Sequence, residues 1–340
     1  MKKVFVLGSG FSSDAGAPLT STVLKNIFKQ GRGTRHVSEL ESYISNFLYQ
    51  GRSDWINCSS LEEILSRLDI IKHYKPYPYV DYNEVIHYEE LLLKEFTNLL
   101  KPDKTNCLGK SYQTFASFLK DENSIITFNY DLLIENLLMD NGKFFCYPDF
   151  SFIDYKNSDN TRTASEEFNQ FNNDSSCVRV IKLHGSLNMY YCPCCGQIYR
   201  FPESVTIHPL PGESEYRNDA PLFLTCLLCS RRDKNIQLRH FIIAPTLYKS
   251  YSLPALRRLW FSALETLANA VEIFFIGYSL PHADILSYQL FDFAAKLSAI
   301  EQAIFLVNGQ TKSTKRFKQL YGDSVRDTGM TFAQWTESIN

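Results

Sequence analysis

Three short islands in this 340-residue chain hold the residue types from which chemistry could be built. Gly8-Ser9-Gly10-Phe11-Ser12 is a glycine loop. Thr127-Phe128-Asn129-Tyr130-Asp131 offers a carboxamide and a carboxylate, and Lys182-Leu183-His184-Gly185-Ser186 offers an imidazole. Glycines at a strand-to-helix turn let backbone N–H groups approach a phosphate, and the following helix N-terminus adds a favourable partial charge. Neutral imidazole is a competent general base near pH 7. Together the islands point to a dinucleotide and to the groups that would attack it. The plain alternatives are a tight turn at the glycines, a structural histidine, and an N-cap at Asp131 ahead of Leu132, Leu133, Leu137 and Leu138. The other histidines (His36, His73, His87, His208, His240 and His282) lack such a context and read as surface or packing residues.

A fourth pattern is metal-like. Cys192-Pro193-Cys194-Cys195-Gly196 and Cys226-Leu227-Leu228-Cys229 form two CxxC knuckles about thirty residues apart, the spacing of a four-thiolate zinc ribbon. Spacing selects Cys192, Cys195, Cys226 and Cys229 as ligands of a structural Zn2+ and leaves Cys194 spare. A redox pair fits poorly, because no thioredoxin-like context surrounds either knuckle. Cys58, Cys107, Cys146 and Cys177 are expected to pack as small apolar groups rather than to form a disulfide framework.

These groups need a scaffold. Apolar, β-branched or aromatic runs at Lys3–Leu7, Ser124–Phe128, Val178–Lys182, Phe241–Ile243, Glu272–Ile276 and Ala303–Val307 read as buried parallel strands. Helical patterns at Ser21–Lys29, Leu132–Met139, Leu253–Ala268 and Ala283–Leu297 lie between them. The alternation predicts an α/β fold, a Rossmann-like doubly wound parallel sheet, with ligands at the strands' C-terminal ends. That domain is assigned to residues 1–30, 111–189 and 241–340. Residues 31–110 carry helical spacing, as at Leu61, Ile64, Leu65 and Leu68, and read as a helical insert; residues 190–240 read as the zinc-ribbon insert. The polar stretch Asp154–Ser176 reads as a mobile loop.

Composition excludes other classes. Hydrophobic residues make up 44% of the chain and the net charge is −2, which argues against a general nucleic-acid or membrane binder. The apolar stretch after Lys2-Lys3 is too short for a secretory signal and reads as the first strand. No run approaches the length of a membrane span. With the cysteine pattern, this makes a cytoplasmic location the expectation.

In order, the islands resemble the sirtuins. That family carries a GAG-x-S loop, a TQN-x-D segment, an HG histidine, a two-CxxC zinc module, a GTS-type loop and a late asparagine. The match runs through Gly8, Gly10 and Ser12; Thr127, Asn129 and Asp131; His184 and Gly185; the four cysteines; Gly277 and Ser279; and Asn308. The departures favour a subfamily. Leu19-Thr20 replaces the Phe-Arg pair of the protein deacylases and Phe128 replaces the glutamine of TQN. Phe241-Ile242-Ile243-Ala244-Pro245-Thr246-Leu247-Tyr248-Lys249 stands where a peptide-pairing strand would be. These features look like the divergent bacterial sirtuin-like domains, several of which hydrolyse NAD+ in anti-phage defence. The zinc ribbon is more typical of the deacylases.

The resemblance implies cleavage of the nicotinamide–ribose bond of NAD+. Asn129 would hold the attacking water, His184 would act as base, and Asp131 would orient the nicotinamide carboxamide or stabilise positive charge. Gly8, Ser9, Gly10, Phe11 and Ser12 would form the pyrophosphate loop, and Gly277, Ser279 and Asn308 the adenosine side. The alternatives are an NAD-dependent protein deacylase or ADP-ribosyl transferase, and a nucleotide sensor without turnover. An uncontrolled NAD+ hydrolase would harm its host, so an activating or gating protein partner and a homo-oligomer are expected.

Overall fold

The structure is a computed structural model that describes residues 2–19, 21–31, 33–100, 109–147, 152–154, 177–200, 225–243, 254–281, 284–309 and 313–339. In chain order the strands are β1 (Lys3–Leu7), β2 (Ser124–Thr127), β3 (Phe145–Cys146), β4 (Phe152–Asp154), β5 (Val178–Lys182), β6 (Gly185–Tyr191), β7 (Ile198–Arg200), β8 (Arg239–Ile242), β9 (Glu272–Ile276), β10 (Ala303–Val307) and β11 (Val325–Asp327). Seven of them form one parallel sheet in the order β11-β10-β9-β1-β2-β5-β3. β1 lies at its centre, and Val4 to Leu7 are all buried, as a strand covered on both faces requires. The chain goes from β1 to β2, places β3 at the sheet edge and fills the gap between them with β5, then crosses to the other side of β1 with β9. Strand order therefore reverses at β1, where ligands of such sheets bind.

The register brings the strand ends to one level. Leu7 pairs with Thr127 and Ile276, Thr127 with Lys182, and Ile276 with Val307. The loops that begin at Gly8, Phe128, Leu183, Gly277 and Asn308 consequently share one rim. Beneath it, Phe5 packs its ring against Phe115, Phe118 and Phe274. Phe115 belongs to the helix Lys110–Phe118 and is fully buried, a contribution of roughly 1.5–3 kcal/mol over leaving such a ring exposed.

The segment read as a helical insert contains the helices Arg35–Tyr49, Trp55–Cys58, Leu61–Tyr74 and Tyr82–Leu99. Ser60 and Asp81 cap two of them, accepting from the Glu63 and Asn83 N–H groups. Their apolar faces form a second core with Val23, Leu24, Ile27 and Phe28 of the helix Val23–Gln30, and that core includes Tyr130 and Leu187. The helical block thus packs directly on the rim.

Three expectations need correction. The run Phe241–Ile243 does not join the parallel sheet: β8 pairs antiparallel with β6 in a separate sheet of order β4-β7-β6-β8. The chain turns there because Gly185, at φ +84°, brings its backbone so close to β8 that a Cβ would lie 1.8 Å from the Phe241 carbonyl oxygen. β6 starts at this turn, so the boundary assigned at residue 190 falls inside a strand. The second correction concerns thiols. Cys146, at the end of β3, is disulfide-bonded to Cys177, just before β5, with Cα atoms 6.1 Å apart; neighbouring strands bring two residues 31 positions apart within bonding reach. Third, Cys58 is exposed, not packed. Residues 155–176, Cys107, His208, His282 and Ala244–Lys249 lie outside the described residues. No described helix is long and apolar enough to cross a membrane.

Candidate active site

The glycine loop after β1 and the loop after β9 are pressed into one another. The Gly8 N–H donates to the Ile276 carbonyl at 3.1 Å, and the Gly10 N–H to the Gly277 carbonyl at 3.0 Å. A Cβ on Gly277, which sits at φ +61°, would lie 2.2 Å from the Phe11 nitrogen, and one on Gly8 would lie 2.5 Å from the Gly277 oxygen. The Phe11 N–H turns back to the Gly8 carbonyl at 2.9 Å. The glycines that read as a phosphate cradle therefore answer first to loop–loop packing. Phe11 does not offer its side chain to a ligand. Its ring is buried among Tyr112, Phe115 and Phe332, and its carbonyl accepts from the Tyr112 hydroxyl at 2.5 Å. Ser9 and Gly10 are the half-exposed members of the loop.

Asn129, beyond the end of β2, crosses to this loop. Its Nδ2 donates to the Gly8 carbonyl at 2.8 Å and to Ser12 Oγ at 3.0 Å, while its own N–H is held by Thr127 Oγ1 at 3.0 Å. A carbonyl can only accept, so Gly8 fixes which end of the carboxamide is nitrogen. The buried Ser12 hydroxyl in turn bonds the Asp131 carboxylate. Asp131 also accepts the Leu133 N–H at 3.0 Å; the N-cap of the helix Leu133–Asp140 is Leu132, one residue after the position the plain sequence reading gave it. Burial pushes the Asp131 carboxyl above the usual carboxylate range. The Lys182 charge, the Leu133 N–H and the Ser12 hydroxyl pull it partway back.

His184 follows β5 and is buried to 7% exposure. Its ring meets Phe128 edge-on at 5.1 Å between centroids and Tyr130 at 5.9 Å. The two neighbours of Asn129 in the chain thus embrace the histidine, while Asn129 itself is tied to the glycine loop. Phe128 stacks on Tyr278 at 4.5 Å, and the Tyr278 hydroxyl donates to Asp284 at 3.2 Å. An aromatic row therefore runs from the end of β5, over β2, to the end of β9. Tyr130 is clamped from three sides: its hydroxyl donates to the Ile243 carbonyl at 2.8 Å, its carbonyl accepts the Leu187 N–H at 2.9 Å, and its ring meets Phe96 of the helical block.

On the far side of β1, Asn308 grips the backbone of Tyr278: its Oδ1 accepts the Tyr278 N–H at 3.0 Å and its Nδ2 donates to the Tyr278 carbonyl at 2.7 Å. It locks the loops after β9 and β10 together. Ser279 is exposed beside it. Gly277 shapes the loop by close approach. These three residues share one edge of the rim, as their positions after successive strands require.

Among the described residues, Cys192, Cys195, Cys226 and Cys229 form a cluster whose sulfur atoms all lie within 4.8 Å of one another; Cys194 is exposed and outside it. The Cys192–Cys229 and Cys195–Cys226 sulfur separations are 3.7 and 3.6 Å, close to the edge of about 3.8 Å of a tetrahedron with zinc–sulfur bonds of about 2.3 Å. Burial alone pushes the Cys226 thiol up. Hydrogen bonds from the Tyr199 hydroxyl and the Cys229 N–H outweigh it and bring Cys226 down to about 7. The donor set fits a zinc ion.

Sequence reasoning placed Tyr130, Tyr278 and Lys182 within the motif segments without giving them a role, and did not single out Glu135 or Tyr147 at all. The available signal was Lys182 directly after the apolar pair Val180-Ile181 at a strand end.

A family model described as SIR2-like domain matches residues 123–322, more than half of the chain, from just before β2 to just before β11; β1 and the glycine loop precede it. Solved structures with a similar trace include one described as the structural basis for the mechanism and regulation of Sir2 enzymes, at 15% identity. It aligns over 99% of this chain and 90% of that chain, with a TM-score of 0.45. A mutant Sir2 homologue in complex with 2′-O-acetyl ADP ribose aligns at 16% identity over 100% and 90%, with a TM-score of 0.44. Sir2 with p53 peptide and NAD+ aligns at 14% identity over 99% and 91%, with a TM-score of 0.40. No curated protein sequence matches the chain.

Proposed function

The chain belongs to the SIR2-like domain family, and from that membership we propose that it is an NAD+ nucleosidase. It would cleave the nicotinamide–ribose bond with water to give ADP-ribose, nicotinamide and a proton. The observation that carries this reading is the setting of Asn129, whose carboxamide nitrogen is engaged by Gly8 and Ser12 while its chain neighbours Phe128 and Tyr130 meet His184. With Nδ2 fixed in this way, Oδ1 is left as an acceptor for a water.

In this mechanism the sugar becomes oxocarbenium-like as nicotinamide leaves. The water held by Asn129 adds to the anomeric carbon, and its proton passes to His184 as general base. Asp131 is too deeply buried to be a freely ionised partner, and it orients Ser12 and, through Ser12, Asn129. Ser9 and Gly10 face the pyrophosphate; Gly277, Ser279 and Asn308 bound the adenosine side. Cys192, Cys195, Cys226 and Cys229 would hold a Zn2+ ion, whose role would be structural, because four thiolates leave no open coordination position.

The departures at Leu19 and Phe128 support water, rather than an acyl-lysine, as the nucleophile. They also favour a role as an effector of prokaryotic anti-phage defence; because unchecked NAD+ hydrolysis would harm the host, the proposal includes an activating or gating partner and a homo-oligomer. The four-cysteine cluster favours a second reading, an NAD-dependent protein deacylase or ADP-ribosyl transferase. Incubating the purified protein with NAD+ alone and quantifying products separates the two. ADP-ribose and free nicotinamide are expected. Nicotinamide release that depends strictly on an acylated peptide, with 2′-O-acyl-ADP-ribose as product, would establish the second reading instead.

A further inference from the structure

Lys182 is the last residue of β5 and is 1% exposed. An isolated ammonium so deep would be very costly. It is compensated by Glu135, 3% exposed, whose Oε1 accepts from Lys182 Nζ at 2.8 Å and from the Tyr147 hydroxyl at 2.9 Å. Ion-pairing does not exhaust the lysine. Nζ also donates to the backbone carbonyl of Asp131 at 2.5 Å.

That second bond falls at a consequential place. Along the strands, β2 and β5 are held by backbone pairing that ends with the Leu183 N–H on the Thr127 carbonyl at 3.0 Å. Past it, Asn129 and His184 sit on separate turns. The hydrogen bonds that tie the Asn129 turn to the chain carrying His184 include Lys182 to the Asp131 carbonyl and the Leu187 N–H to the Tyr130 carbonyl at 2.9 Å. Lys182 is two residues from His184, and Asp131 is two residues from Asn129.

We propose that Lys182 is a positioning residue for NAD+ cleavage, anchoring the Asn129–Asp131 turn to the strand end that presents His184, with Glu135 present to neutralise its charge. This rests on the nucleosidase reading, and the test has one arm that does not. The Lys182→Met change alone would strand the Glu135 carboxylate, so the informative protein is Lys182→Met with Glu135→Gln. That pair removes both charges together, keeps an acceptor for Tyr147 and deletes the anchor with its ion pair. Two controls disturb the cluster and leave the Lys182–Glu135 pair and the anchor in place: Tyr147→Phe and Tyr147→Leu.

The double variant is expected to melt cooperatively and to keep KM for NAD+ within about threefold, while kcat falls roughly 10–100-fold, the scale of a small misplacement of reacting groups. The controls are expected to lose thermal stability yet keep kcat within about threefold. Backbone amide exchange at residues 129–131 is expected to accelerate in the double variant and not in the controls. That readout holds whether or not the parent protein cleaves NAD+, so a parent inert towards NAD+ with accelerated exchange would sink the nucleosidase reading alone. Parental kcat and parental exchange in the double variant would overturn the anchoring role. So would equal kcat losses in the controls, or a double variant that does not fold, since either would assign Lys182 to stability alone.

Discussion

The carboxamide nitrogen of Asn129 donates to the carbonyl of Gly8 across 2.8 Å, so a residue beyond β2 closes the loop beyond β1. The same nitrogen reaches Ser12, and the glycine loop and the Asn129 turn form one hydrogen-bonded unit. Asn129→Ala is expected to lower NAD+ turnover by about 10²-fold by releasing the water-holding group. His184→Ala is expected to lower it by about 10²–10⁴-fold, the usual loss for a positioned base. Product release from NAD+ measured by chromatography checks both, and parental rates in both variants would show the site to be misassigned.

Gly277→Ala should be damaging out of proportion to its size. The left-handed backbone costs about 1–2 kcal/mol for any residue with a Cβ, and the new methyl would overlap the Phe11 nitrogen. Gly142→Ala, also at positive φ but with open space around it, should show only the first effect. Denaturant unfolding of the two variants is expected to rank them in that order, with NAD+ affinity impaired only by the change at Gly277.

One zinc ion per chain is expected, released by Cys226→Ser and retained by Cys194→Ser. The first change removes a buried sulfur from the four-atom cluster; the second alters an exposed thiol outside it. Elemental analysis after gel filtration reads this directly, and the opposite pattern would reassign the ligands. Chelation should lower thermal stability, since a structural metal contributes directly to folding.

Asp131 gives the stability a definite pH dependence. Burial raises its folded pKa above the ordinary value of 3.8, so the folded state holds the proton more tightly than the unfolded one. The associated stabilisation is complete below about 3.8 and disappears as pH rises through the folded value. Asp131→Asn should therefore gain in melting temperature relative to the parent at neutral pH, and the gap should narrow as pH falls towards 4. Turnover is expected to drop in the same variant, because an amide NH2 in place of the oxygen that accepts from Ser12 would no longer set the Ser12 hydroxyl that contacts Asn129. A gap that widens on acidification would contradict the assignment.

The Cys146–Cys177 bond closes a loop of 31 residues in sequence, for which chain entropy predicts a stabilisation of about 3–4 kcal/mol. Thiol titration of the unreduced, denatured protein should find these two cysteines unreactive, and Cys146→Ser should lower the melting temperature to that of the reduced parent. Full reactivity of all nine cysteines without reductant would place the pair in the thiol form.

Much of this protein is local information and could be read from the chain. Parallel strands covered on both faces must be largely apolar, which exposed β1, β2, β5, β9 and β10. Their register then put Gly8, Asn129, His184, Gly277 and Asn308 on one rim. The spacing of the two CxxC knuckles picked out the four sulfurs that cluster and the one that does not. Other features depend on which distant segments become neighbours, and no local pattern records that. Phe241–Ile243 has the composition of a core strand, yet the turn at Gly185 recruits Arg239–Ile242 to the second sheet. Phe11 stands in a phosphate-loop motif, yet its ring completes a core with Tyr112, Phe115 and Phe332. Cys146 and Cys177 look like packing residues until β3 and β5 pair. Lys182 reads as a stray charge at a strand end, because its value lies in Glu135 and the Asp131 carbonyl, both about fifty positions away in sequence. Burial and periodicity are properties of a segment; pairing, capping and charge compensation are properties of a contact, and only the folded chain makes the contact.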